Sequence, residues 1–287
     1  MYYETSRFAN HLCQIIWSLS FAGRLGAGTL AEELRALLLT TGQKLDRQWR
    51  SYQGSTETRT MSMASSPASS GRVAVKEPKL ALKLRGISVV LKPPNWEVDA
   101  KGQLSSSGLY LSHFMQRESL PDISPVLLLP DFEYGFVHRL DVPSSGLVLT
   151  GTHFEGYALL QWQMHTYAIE RQYSVLVASL VPSHLQDINA PINDFLPGHS
   201  FVDELQGRPA ETHLKVLLHV AQRLQFTCAR FGLVAISIHT GRRHQIRVHV
   251  QWSGCPTVTD EKYPHRCIYV NSSGLNLQIS SHRLRAK

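Results

Sequence analysis

The chain has 287 residues, 43% hydrophobic and 18% charged, which describes a folded globular protein long enough for one large domain or two small ones. Its formal net charge of +7 leans weakly toward a polyanionic partner. Four cysteines without a CxxC pair, no HExxH motif and no apolar run of membrane-spanning length argue against a disulfide framework, a zinc site and a membrane protein.

In chain order, Leu12, Ile15, Ile16 and Leu19 recur at helical spacing. Thr29 precedes Glu32 by three residues, a capping box opening a second helix with Leu34, Leu37 and Leu38 on one face and Gly42 as its stop. Residues 1–50 are thus expected to carry a helical hairpin over about 8–42, which cannot bury its own apolar face and must pack elsewhere. Residues 51–71 hold ten Ser or Thr among twenty-one positions, so 51–80 reads as a flexible linker. Beyond it, 87–91 is a short buried strand stopped by Pro93-Pro94, and 146–150 is another. Tyr157, Leu160, Met164 and Ala168 mark an amphipathic helix, and 173–178 returns to strand. Further strands are expected at 212–220, around Leu224, Phe226 and Cys228, and through Val234, Ile236 and Ile238. Many strands with few long helices give an α+β domain over 81–265, built on a largely antiparallel sheet with flanking helices. Residues 266–287 form a polar tail.

Two stretches carry chemistry. His138-Arg139-Leu140-Asp141 leads into Val142-Pro143-Ser144-Ser145-Gly146, placing one carboxylate beside two potential cations in a turn. A nucleophilic carboxylate needs such a setting, although an isolated Arg-Leu-Asp is more often a turn cap. Ser144 and Ser145 lie in no GxSxG elbow, which argues against a serine hydrolase. The second stretch, Thr240-Gly241-Arg242-Arg243-His244-Gln245-Ile246-Arg247-Val248-His249-Val250, fits a strand through Ile246, Val248 and Val250 or a helix ending at Gly254. Periodicity does not choose between them. Under the helical reading Arg243 and Arg247 share one side.

Together, Lys92-Pro93-Pro94, HRLD and SGL within 138–147, Arg171-Gln172-Tyr173 and TGRRHQIRVH at 240–249 resemble RluA-type pseudouridine synthases in order and spacing. The likeness covers residues 87–263, about three-fifths of the chain. It implies an α+β pseudouridine-synthase-like fold with a mixed, largely antiparallel sheet and a central cleft. It also implies an isomerase that converts uridine to pseudouridine in structured RNA without cofactor or metal. By the same resemblance Asp141 is the catalytic aspartate, Arg247 its bidentate partner and Tyr173 the residue serving the base. Arg139 fills the space left by the flipped nucleotide, while Arg242, Arg243, His244 and Lys92 contact RNA. Asn95 stands where the family has Gly, Arg171 where it has Lys, and Thr259-Asp260 where it has Gly-Asp. After Tyr263 the chain departs from the family pattern, which makes an impaired RNA-binding protein on the same scaffold the second reading. A monomer without membrane contact is expected, in the cytoplasm or an organelle.

Overall fold

The computed structural model describes residues 2–26, 28–53, 76–98, 108–119, 124–196, 198–223 and 228–263. The linker expected at 51–80 and the tail at 266–287 therefore lie largely or wholly outside the described residues. Contacts divide the chain into two units, Met1–Ile169 and Glu170–Lys287. The boundary falls inside the stretch read from the sequence as one catalytic domain.

The first unit opens with helices α1 (Tyr2–Phe21) and α2 (Thr29–Gln53). Both are longer than their apolar periodicity suggests. The carbonyl of Gly28 accepts from Ala31 and Glu32 N–H, so Gly28 occupies the cap position and Thr29 lies inside the helix, one residue on from the expected capping box. Gly42 does not stop α2. A Cβ there would stand 2.8 Å from the Phe154 carbonyl oxygen and 2.9 Å from Glu155 Cα, at the start of helix α4 (Phe154–His165). Its glycine permits a close helix approach, a packing role that resembles a stop signal in sequence.

One turn further along α2, Asp46 completes that contact. Its Oδ1 accepts from Phe154 N–H and its Oδ2 from Glu155 N–H, both at 3.0 Å. The local cap residue of α4, His153, makes no side-chain cap bond, so the orphan amides are satisfied by a helix over a hundred residues upstream. Leu12, Ile16 and Leu38 pack with Ala158, while Ala9 and Leu45 pack with Phe132, Phe154 and Tyr157. Each fully buried leucine or isoleucine there contributes about 1.5–3 kcal/mol. The hairpin's partner is thus the core of its own unit.

Strands β1 (Lys79–Leu84), β2 (Ile87–Lys92) and β3 (Gly146–Gly151) form an antiparallel sheet in that order. Val90 and Val148 from its inner face meet Trp96, Leu111, Phe114, Met115, Leu127 and Phe136. Helix α3 (Leu111–Glu118) supplies Leu111, Phe114 and Met115. The β2–β3 register pairs Lys92 with Gly146, so the end of β2 lies beside the start of β3 and the turn before it.

In the second unit, β4 (Arg171–Val177), β5 (Asp187–Asn189), β8 (Glu211–Arg223) and β9 (Cys228–Ile238) form an antiparallel sheet ordered β4-β9-β8-β5. A two-stranded ribbon pairs β6 (Ile192–Asn193) with β7 (Phe201–Val202). The stretch left open between strand and helix is helix α5 (Gln245–Trp252), with Gly254 at φ 80° beyond it. Val177, Ile188, Leu214, Val234, Ile236 and Val250 make up the core. Helices with antiparallel sheets confirm the α+β class. Among the described residues no helix is long and apolar enough to cross a membrane.

Candidate active site

The Asp141 turn is fastened to the first unit from several directions. Phe136, buried in the core, bridges to Thr150 of β3. His138 follows, and its Nε2 accepts the Leu149 N–H at 3.1 Å, which places the proton of the neutral ring on Nδ1. The histidine of the motif is therefore a strap between turn and strand. Arg139 is exposed, Leu140 packs against the core, and Asp141 is half-buried. The turn closes when Ser144 N–H donates to the Asp141 carbonyl at 3.0 Å. Gly146 then enters β3 at φ 151°, a conformation that side chains rarely adopt, so the chain leaves the turn on glycine.

The loop after β2 holds the same turn from below. Asn95 adopts φ 69° and its N–H reaches the Val142 carbonyl at 2.8 Å, so the residue in the place of the usual glycine does take the left-handed conformation. Lys92 differs from its expected role. It is 0% exposed, and its ammonium donates to the carbonyls of Pro93 (3.1 Å), Trp96 (2.7 Å) and Val142 (3.2 Å). An enclosed ammonium cannot reach a phosphate, which removes Lys92 from the RNA contacts. Burial pushes its pKa down to about 8, and the negative charge of Asp141 pulls the other way.

In the second unit, Tyr173 lies on the inner face of β4 with Val175 and Val177 and packs, half-buried, against the core. Arg247, on α5, presents a fork to Asp260: Nε to Oδ2 and Nη2 to Oδ1, each at 2.7 Å. Its guanidinium also lies 4.9 Å from the ring centre of Tyr263. Burial alone would raise the Asp260 carboxyl. The Arg247 fork, the Thr257 hydroxyl and the Tyr263 N–H overcome that and hold it at about 2. Thr259, just before it, stands at φ 57°.

The arginines ahead of α5 divide. Arg243 Nη2 donates to the carbonyls of Asp194, Leu196 and His199, and its Nε to Ser200 Oγ, so it clamps the loop between β6 and β7. Arg243 also precedes the helix and so does not share a helical face with Arg247. Arg242 Nε donates to the Pro209 carbonyl at 3.0 Å. His244 is the N-cap residue of α5 at φ 57° and its Nδ1 shares a hydrogen bond with the Tyr263 hydroxyl at 2.8 Å, while that hydroxyl accepts from Ser200 N–H.

Beneath them Gln245 binds the Thr240 hydroxyl and Arg242 N–H through Oε1, and the Glu211 carbonyl and Thr212 hydroxyl through Nε2. His249, 0% exposed, donates from Nε2 to the Ala190 carbonyl and accepts the Thr212 hydroxyl on Nδ1. Much of the HQIRVH motif is therefore a buried polar frame for Arg247. The structure thus gathers Arg247, His244, Asp260 and Tyr263 around one point of the second unit, and Lys92 and Asp141 in the first. The sequence reading missed Asp260 and Tyr263 as site residues. Their signal was the Asp at the family's Gly-Asp position and the tyrosine three residues later. Among the described residues no cluster of three or more His, Cys, Asp or Glu is placed to hold a metal ion.

A family model described as RNA pseudouridylate synthase matches residues 86–252. The chain is similar to the uncharacterized RNA pseudouridine synthase YlyB of Bacillus subtilis, 34% identical over 147 residues, which is 50% of this chain and 46% of that protein. It is likewise similar to ribosomal large subunit pseudouridine synthase C of Escherichia coli, 35% identical over 133 residues, 45% of this chain and 39% of that protein. The chain thus spans less than half the length of these curated relatives. Among solved structures, human RNA pseudouridylate synthase domain containing 1 matches with 20% identity and a TM-score of 0.47, over 68% of this chain and 73% of that one.

Proposed function

The chain belongs to the RNA pseudouridylate synthase family, and from that we propose that it isomerises uridine to pseudouridine in structured RNA, with Asp141 as the catalytic carboxylate. The observation that carries this reading is the Asp141 turn: a half-buried carboxylate on a loop fastened by His138, Asn95 and Lys92, two residues from an exposed arginine. Catalysis by a single carboxylate needs that fixity, because small misplacements of a reacting group are costly.

In the proposed reaction the bond from C1′ to N1 of uridine breaks and one from C1′ to C5 forms. The C5 proton leaves to water and N1 gains one, so the change is redox-neutral and consumes no cofactor. Asp141 serves the sugar carbon, either by attack at C1′ or by assisting a glycal-like intermediate. Tyr173 serves the base, and Arg247, gripped by Asp260, is the cationic partner of Asp141. The base must leave its stack at a cost of a few kcal/mol, and Arg139, planar and exposed, is suited to stack in its place. Arg242 supports phosphate binding. The protein acts as a monomer.

Asp141→Ala is expected to unfold at the wild-type temperature and to bind RNA within about threefold of wild type. It should release no tritium from RNA labelled at uridine C5. Release at the wild-type rate from that variant would overturn the assignment.

A further inference from the structure

We propose that Phe195, on the loop between β6 and β7, is a stacking platform for an unpaired base of the RNA. This rests on the chain being an RNA-modifying enzyme.

The loop holds the ring out at a fixed place. β6 ends at Asn193, whose buried side chain accepts the Phe195 N–H on Oδ1 at 3.2 Å and donates from Nδ2 to Asp203 at 3.0 Å. Arg243 takes the carbonyls on either side of Phe195, those of Asp194 and Leu196. With its amide and both flanking carbonyls engaged, the Phe195 backbone has little freedom. Its side chain is nevertheless 65% exposed and, among the described residues, joins no apolar core cluster. A large ring fixed in water adds nothing to folding, and its use is to meet a ligand.

The surroundings say which ligand. Arg208 pairs its backbone with Ile192 through N–H and carbonyl, and its guanidinium lies 5.5 Å from the Phe195 ring centre. Arg208 and Arg243 both bond Asp194, the first at the carboxylate and the second at the carbonyl. That carboxylate is only 6% exposed, whereas the Arg208 side chain is 46% exposed, so the charge left facing water is positive. An open ring beside an exposed cation suits a nucleotide, whose base lies on the ring while a phosphate meets the guanidinium. The same loop joins the Arg247 cluster: His199 stacks on Tyr263 at 5.1 Å, Ser200 N–H bonds the Tyr263 hydroxyl, and Arg247 lies over that ring. RNA drawn to Arg247 is thus the ligand nearest to hand. Bases in a duplex have no free face, so the platform takes an unpaired one.

Binding of a fluorescent oligouridylate and of a blunt RNA duplex to the full chain tests this. Phe195→Ala should weaken oligouridylate binding about tenfold, with the same dependence on salt as wild type, because no phosphate contact is lost. Phe195→Leu, apolar but without a π-face, should lose as much, and Phe195→Trp should bind at least as tightly as wild type. Duplex binding should not change in any of them. Wild-type affinity in Phe195→Ala would overturn the platform and leave the ring to a protein partner. Wild-type affinity in Phe195→Leu, an equal loss on the duplex, or wild-type protein that does not bind oligouridylate would overturn it too. All three variants should melt at the wild-type temperature, and a lowered midpoint in each would make the ring structural instead. If wild-type protein binds oligouridylate but releases no tritium from RNA labelled at uridine C5, the proposed reaction fails, and the three variants still decide whether Phe195 stacks.

Discussion

Thr259 holds a β-branched side chain at φ 57°, a backbone state costing on the order of 1–3 kcal/mol for such a residue. The turn it makes leads directly into Asp260, where two oxygens receive the Arg247 fork, the Thr257 hydroxyl and the amides of Lys262 and Tyr263. Five donors on one carboxylate hold the strained residue in place. Thr259→Gly removes the strain without touching those donors. It is expected to raise stability by about 1 kcal/mol, seen as a higher thermal midpoint, and an unchanged or lower midpoint would contradict the strain argument. Asn95 shows how such positions become legible: asparagine tolerates the left-handed region, so its substitution for glycine could be read from sequence. Lys92 was not legible in the same way. A lysine before two prolines reads as a solvated strand end, and only the β2 alternation reveals that it points inward.

Among the elements, α4 depends on α2 in a way that neither helix announces. Gly42 lets the backbones meet, Asp46 receives the first two amides of α4, and Gln43 donates to Glu155 at 2.7 Å. Asp46→Ala leaves those amides without their cap and should cost about 1–2 kcal/mol, measured as a shift in denaturation midpoint without a change in slope. A cost near zero would mean that water replaces the carboxylate. Most strands and the middle of α4 were legible, because their apolar residues recur with the right period. The end of α2 was not, since a glycine used for contact and one used as a stop look alike. Nor was α5, where eight residues fit either period. Its frame is polar: Gln245 and His249 reach Thr212 and Ala190, contacts that periodicity cannot register.

For the whole molecule, these buried groups contribute to the response to acid. Burial lowers the His249 pKa, with the Ala190 carbonyl opposing it, so the folded protein keeps that ring neutral. An unfolded histidine takes up a proton near pH 6.5, so the unfolded state binds more protons and stability falls as pH drops through that value. Asp260 has the same sign lower down. Its contribution, about 2 kcal/mol, is present above pH 3.8 and is lost as pH falls toward 2. Denaturant unfolding at successive pH values should show both losses, and Asp260→Asn should reduce the lower one, to which Asp194 and Asp203 also contribute. If that variant follows the wild-type curve below pH 4, the carboxylate is not the group responsible. The Asp46 contact has a further consequence, in time. A ribosome adds roughly 5–20 residues per second, and Phe154 follows Asp46 by 108 positions. During synthesis α2 therefore waits several seconds or longer with Leu38 and Leu45 covered only by α1, until α4 emerges to complete their packing. Over that interval the nascent chain presents a sticky helical surface, and a chaperone that recognises such surfaces has its opportunity there.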